Sequence, residues 1–169
     1  MTTGSITALT LSAVQYQALD GGVAANVPEH IRLIEDAESH GARLVIFPEL
    51  SLTGYRLDLL EGAGEWLSAA DRRLDGIREI CRRTGITAVI GAALKEPDGT
   101  PRLASLAVHP AGSIETSFKT HLHGPEQDLF VAGSSPAILE IDGWKVALAI
   151  CFDAARPGHA EWAADAGAD

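Results

Sequence analysis

Hydrophobic and polar positions follow two rhythms along this chain, and the changes of rhythm mark its elements. Residues 5–16, SITALTLSAVQY, are apolar and β-rich, which predicts a first strand. In NVPEHIRLIEDAESHG the rhythm becomes helical, with Val27, Ile31, Ile34 and Ala37 on one apolar stripe. Asn26 is the expected N-cap, Glu29 follows three residues on, Pro28 falls in the first turn, and Gly41 is the expected stop. RLVIF, 43–47, is a short unbroken apolar run of the kind buried on both faces.

The pattern then predicts a second helix over 66–84, with Leu74, Ile77, Cys81 and Thr84 at helical spacing and Gly85 at its end. ITAVIGAAL, 86–94, is the next strand, and EPDGTPR is turn chemistry. LASLAVH, 103–109, and GSIETSF, 112–118, flank PAG as a hairpin. PAILEIDGWKVALAI, 136–150, is two strands joined at Asp142-Gly143. A last helix starts near Pro157 and runs through Trp162 to Gly167. The order βαβαβ, two hairpins and a helix predicts an α/β fold with a mixed sheet. No repeat or linker divides residues 1–169, so a single domain is expected.

Composition narrows the partners. Apolar residues make up 46% and charged residues 21%, as in an ordinary globular protein. A net charge of −10 argues against a nucleic-acid or anionic-membrane partner, since both need a basic surface. No apolar run approaches the ~20 residues that span a bilayer, and MTTGSITALTLSAVQ lacks the basic start and apolar core of a signal peptide. Two cysteines, 81 and 151, without a C-x-x-C spacing, fit a reducing, cytoplasmic setting.

Catalytic groups in α/β folds gather at the carboxyl ends of strands. Three such positions carry chemistry: Glu49 after RLVIF, Lys119 after GSIETSF, and Cys151 after KVALAI. A thiol needs deprotonation, a carboxylate can take that proton, and an ammonium favours the thiolate and the oxyanion formed when it attacks. The Phe152 backbone N–H follows the thiol and is a second oxyanion donor. Taken singly, each residue has a plain structural explanation. Cys81, on a helical apolar stripe, is assigned to packing.

The case rests on the words around the three residues. LVIFPELSLTGY, FKTHLHGPE and ALAICFDAARP, in this order, closely resemble the three motif blocks of the nitrilase superfamily, the carbon–nitrogen hydrolases. The resemblance implies that Glu49 is the general base, Lys119 the oxyanion-stabilising ammonium and Cys151 the nucleophile. Glu126, seven residues after Lys119, matches a second family glutamate that positions substrate and catalytic groups. The PELSLTGY wording looks more like the amidase and carbamoyl-hydrolase branches than the true nitrilases. The implied substrates are small-molecule amides, carbamoyl compounds or nitriles, with no metal or organic cofactor, and a homodimer is the implied assembly. The implied fold is an α-β-β-α sandwich, incomplete at the C-terminus because the chain is shorter than one. Unpaired sheet edges, exposed apolar surface and self-association are therefore expected.

The chain departs from the family wording in two places. Arg156-Pro157-Gly158 stands where many members have an aromatic or histidine before the proline and glutamate after it, and Ser117 stands where many have tyrosine. Three rival readings remain at this point. HLHGPEQD offers His121, His123, Glu126 and Asp128 as metal ligands. A Cys–His hydrolase would draw on His109, His121, His123 or His159. A chain without turnover would persist as a structural or interaction module.

Overall fold

The computed structural model describes residues 8–134 and 136–169. Its main sheet has five strands in sequence order: β1 (Leu11–Ala13), β2 (Leu44–Ile46), β3 (Thr87–Lys95), β4 (Pro101–Val108) and β5 (Ile114–Phe118). The first three are parallel, joined through helices α1 (Gly22–Ser39) and α2 (Asp75–Thr84). The β3–β4 and β4–β5 pairs are antiparallel. This is the predicted mixed sheet, and the topology has a simple cause. Helical crossovers return the chain parallel, whereas the short turns EPDGTPR and PAG can only reverse it.

Both faces of this sheet are covered. α1 and α2 pack on one, where Ile34, Val45, Ile77, Cys81, Ile90 and Leu106 are buried together. The hairpin of β6 (Ile138–Ile141) and β7 (Trp144–Ala147) covers the other, where Leu44, Val89 and Ala107 meet Leu139, Ile141 and Leu148. RLVIF is thus buried on both sides as its unbroken apolar pattern predicts: Leu44 faces the hairpin, and Val45 and Phe47 face the helices. A third cluster of Leu50, Leu60, Leu103, Phe130 and Ile150 fills the space beyond the end of β2. α3 (Glu126–Leu129) is a single turn, and α4 (Pro157–Asp165) begins at Pro157 as expected.

The structure corrects three boundaries. The first strand is short, Leu11–Ala13, and residues 5–7 of its predicted span lie outside the described residues. α1 starts at Gly22 rather than after Asn26, behind Gly21 and Gly22, both at positive φ. Its first turn is capped from a distance, because the Glu65 carboxylate accepts the Val23 N–H at 2.7 Å. Asn26 therefore lies inside the helix. Its buried amide donates to the carbonyls of Leu19, Gly22 and Leu52, and it accepts from Leu19 N–H and Tyr16. The second helix is shorter than its pattern. Leu67 pairs with Leu94 beside β3, so the chain at 66–71 is not helical, and Asp71 caps the turn that follows by accepting the Arg73 N–H at 2.9 Å.

α4 buries none of its residues. A groove of about 630 Å³ runs between it, β7 and Leu9–Leu11, lined by Trp144, Val146, Ala160 and Ala163. The backbone N–H of Asp169 donates to Lys145 O, and its carboxylate accepts the Lys145 N–H, so the chain meets β7 again there. Among the described residues no helix is long and apolar enough to cross a membrane.

Candidate active site

Glu49 is placed by a tight loop at the end of β2. Phe47 N–H still bonds Val89 O, and then Pro48 ends the strand. Ser51 N–H turns back to Pro48 O, and Gly54 N–H to Leu50 O, with Leu50 at a positive φ of 50°. The loop lies directly on Gly91, where a Cβ would stand 2.3 Å from Leu50 N and 2.4 Å from Pro48 O. α1 holds the loop from the other side. His30, fully buried, donates from Nδ1 to Asn26 O at 2.8 Å, since that carbonyl can only accept. Its Nε2 is then the acceptor for the Ser51 hydroxyl at 2.9 Å, and Ser51 Oγ accepts the Gly91 N–H at 3.0 Å. Burial pushes the His30 imidazolium pKa down to about 4, so the ring is neutral.

Lys119 follows β5 and is 1% exposed. Its backbone continues the sheet contact, N–H to Leu103 O and carbonyl from Gly133 N–H. Its Nζ donates to Glu49 Oε1 at 2.6 Å and to Glu126 Oε1 at 2.7 Å. Burial opposes the ammonium charge, but the two carboxylates outweigh it and raise its proton affinity above that of an ordinary lysine. Glu126 is nearly buried too. Against its burial, three donors hold it ionised below the usual carboxylate range: Lys119 Nζ, the His123 N–H to Oε2 at 2.8 Å, and the Tyr55 hydroxyl to Oε1 at 2.9 Å.

Cys151 opens a 3-10 turn, Cys151–Ala155, in a left-handed conformation with φ 48°. A non-glycine residue there is uncommon, and the turn leaves the thiol exposed, whereas Cys81 is buried in the helix-side core as its stripe predicts. Cys151 and Glu49 line one cavity of about 280 Å³ with Phe47, Ser105 and Ile150. Partial burial and the neighbouring Glu49 charge raise the Cys151 thiol above its ordinary value, and Lys119 opposes them. The net direction favours the neutral thiol over a thiolate–ammonium pair. Phe152 packs its ring against His123, centroids 5.2 Å apart, and its N–H follows the thiol in the chain.

The fold brings Glu49, Lys119, Glu126 and Cys151 together from four places in the sequence. Four contributors escaped the sequence reading. Tyr55, Ser51 and Asp153 lie inside the motif words but carry no obvious reaction chemistry. His30 falls at helical spacing between Val27 and Ile34, and an imidazole on an apolar stripe is the signal that could have found it. HLHGPEQD is divided between two networks, since His121 turns to Asp153 and Glu126 to Lys119. Among the described residues no cluster of three or more His, Cys, Asp or Glu groups could hold a metal ion. The charges acting on Cys151 are those of Glu49, Lys119 and Glu126. His109 faces Glu115, and His159 packs on Trp162. Ser117 is buried and accepts the Ala137 N–H at 3.2 Å, which ties β5 to the strand pair on the covering face.

Comparison with known proteins gives the family and the fold. The carbon-nitrogen hydrolase family matches residues 10–169. A nitrilase of Pyrococcus abyssi is 33% identical over 144 residues, which cover 82% of this chain and 53% of that protein. The omega-amidase YafV of Yersinia enterocolitica is 26% identical over 151 residues, 88% of this chain and 56% of that protein. The crystal structure of an amidase from Nesterenkonia sp. superposes with a TM-score of 0.81 at 25% identity, over 99% of this chain and 66% of that one. This chain thus spans about half the length of the curated relatives it matches.

Proposed function

The chain belongs to the carbon–nitrogen hydrolase family, and from that premise we propose that it hydrolyses small amides through a thioester on Cys151. The observation that carries this reading is the placement of Lys119 Nζ. It joins Glu49 and Glu126 at 2.6 and 2.7 Å, next to the cavity that Glu49 shares with an exposed, left-handed Cys151.

The chemistry follows from the proton inventory. Glu49 takes the thiol proton as Cys151 Sγ attacks the amide carbon, and the carbonyl electrons move to oxygen. An ammonium has three N–H donors. Two of those on Lys119 meet carboxylates, and the third serves the oxyanion together with the Phe152 N–H. Glu49 returns its proton to the leaving nitrogen, the C–N bond breaks, and ammonia or an amine departs. Water then gives a proton to Glu49 and attacks the thioester. The C–S bond breaks, the sulfur recovers the proton, and the acid leaves. Glu126 holds Lys119 charged and in place throughout. The amide preference rests on the PELSLTGY wording and on the amidases among the similar proteins.

The test is turnover of a panel of small amides, carbamoyl compounds and nitriles by the full chain, with mass spectrometry of the quenched protein. Ammonia release with an acyl adduct on Cys151, abolished by Glu49→Gln and Cys151→Ala, is the expected result. A folded chain that neither turns over nor acylates would instead support the reading of a non-catalytic module.

A further inference from the structure

Asp153 takes no part in this proton inventory, yet it is 2% exposed and carries four hydrogen bonds. Its Oδ1 accepts from Thr120 Oγ1 at 2.7 Å, from His121 N–H at 2.8 Å and from His121 Nδ1 at 2.9 Å. Its Oδ2 accepts from Thr120 N–H at 3.2 Å. Both backbone N–H groups that follow Lys119 are therefore held by one side chain, which sits two residues after Cys151. The Asp153 backbone also closes the turn that presents the thiol: its N–H donates to Ile150 O at 3.0 Å, and its carbonyl accepts the Arg156 N–H at 3.1 Å.

A buried carboxylate is costly unless its lone pairs are filled. A small apolar or amide residue could hold a 3-10 turn at lower desolvation cost. What such a residue could not do is bridge to a second segment through several donors at once. The strand that delivers Lys119 belongs to the main sheet, and the strand that leads to Cys151 belongs to the covering hairpin. Among the described residues no backbone ladder joins β5 to β7; Ser117 ties β5 to the chain before β6, and Asp153 ties the segment after Lys119 to the Cys151 turn.

We propose that Asp153 is a positioning residue that clamps the Lys119 segment to the Cys151 turn and so sets the distance between the ammonium and the sulfur. The inference rests on the joint action of Lys119 and Cys151 proposed above. Asp153→Asn is the informative change. It keeps the volume but turns an NH₂ group toward N–H or O–H donors, so at least one contact becomes donor against donor.

The experiment measures iodoacetamide alkylation of Cys151 against pH in the full chain, wild type, Asp153→Asn, Lys119→Ala and the double variant. The charged groups facing the sulfur are Glu49, Lys119 and Glu126. Losing the ammonium raises the thiol pKa, and each unit of rise lowers the thiolate fraction about tenfold below the midpoint. We expect Asp153→Asn to move the alkylation midpoint upward and slow the rate at pH 7.5 by roughly 3- to 10-fold. In the Lys119→Ala background the same change should alter the rate by less than about twofold, because Asp153 acts through Lys119. Should Asp153→Asn fail to fold, Thr120→Val removes one of the four bonds and should give a smaller shift of the same sign.

An equal slowing by Asp153→Asn with and without Lys119 overturns the clamp. So does an unmoved midpoint in a folded variant. If Lys119→Ala itself leaves alkylation unchanged, the joint action of Lys119 and Cys151 fails first, and the clamp fails with it.

Discussion

Ser51 Oγ lies 2.9 Å from Nε2 of His30 and 3.0 Å from the Gly91 nitrogen, so one hydroxyl joins α1, the Glu49 loop and the middle of β3. Ser51 stands two residues after the carboxylate assigned as base. Leu50 and Leu52 anchor the loop in the apolar core on either side of this residue, and the hydroxyl adds its polar tie. Ser51→Ala would leave the His30 Nε2 and the Gly91 N–H buried without a partner, at about 1–3 kcal/mol. Chemical denaturation should show that loss. Amide turnover should fall mainly through kcat, since the base moves while the binding surface stays.

His30 makes stability depend on pH. Its pKa is about 4 in the folded chain against 6.5 for a free histidine, so the unfolded chain binds the proton first as pH falls. The contribution is fully present above pH 6.5, declines below it, and is exhausted near pH 4. The span is worth about 3 kcal/mol. Glu126 and Asp153, with pKa values held low, lose their contributions in the same direction but only at more acid pH. Urea midpoints measured from pH 7 to 4.5 should fall steadily in wild type, and the slope should flatten in His30→Gln.

Gly91→Ala tests the close approach of β3 to the Glu49 loop. The new Cβ would meet backbone, Leu50 N at 2.3 Å and Pro48 O at 2.4 Å, and backbone cannot rotate away. We expect a loss of about 3 kcal/mol and turnover below detection, because relief requires displacing Glu49. A variant of near wild-type stability and activity would show that the loop is not seated there.

The two cysteines should differ in rate. Burial pushes the Cys81 thiol up to about 12 and seals it in the core, while Cys151 is exposed. Alkylation of native chain, followed by peptide mass analysis, should label Cys151 alone. Its rate should rise about tenfold per pH unit from 7 toward 9, as expected of a thiol that rests protonated. A flat profile over that range would indicate a preformed thiolate and a different mechanism.

Removing Lys119 should be costly as well as inactivating. Lys119→Met leaves Glu49 and Glu126 facing each other with no cation between them, and breaking a buried pair in this way costs about 3–5 kcal/mol. Adding Glu126→Gln should recover part of that stability by removing one of the two charges, without restoring turnover. Thermal melts of the three chains decide it.

The alternation of the chain was enough to locate the strands, because strand and helix periods depend only on which face meets the core. The unbroken run at Leu44–Ile46, the hairpins at PAG and Asp142-Gly143, and the helix start at Pro157 are local statements, and local chemistry settles them. The motif words likewise marked Glu49, Lys119, Glu126 and Cys151 as one set. What local chemistry could not supply was any group whose partner lies far along the chain. α1 begins at Gly22 because Glu65 caps it from 42 residues away, and Asn26, a plausible cap by pattern, is buried for its contacts to Leu19 and Leu52. The residues at 66–71 read as helix, but Leu67 is held flat against β3.

The sequence by itself marked the candidate reacting groups, since each must be a residue type able to move a proton or attack a carbon. Only the tertiary structure decided their supports. Ser51, His30, Tyr55 and Asp153 have no step in the proposed reaction. Their value lies in the hydrogen bonds they make to segments brought near by packing. Such bonds depend on distances of less than 3 Å between residues up to 71 positions apart, and no pattern along the chain encodes them.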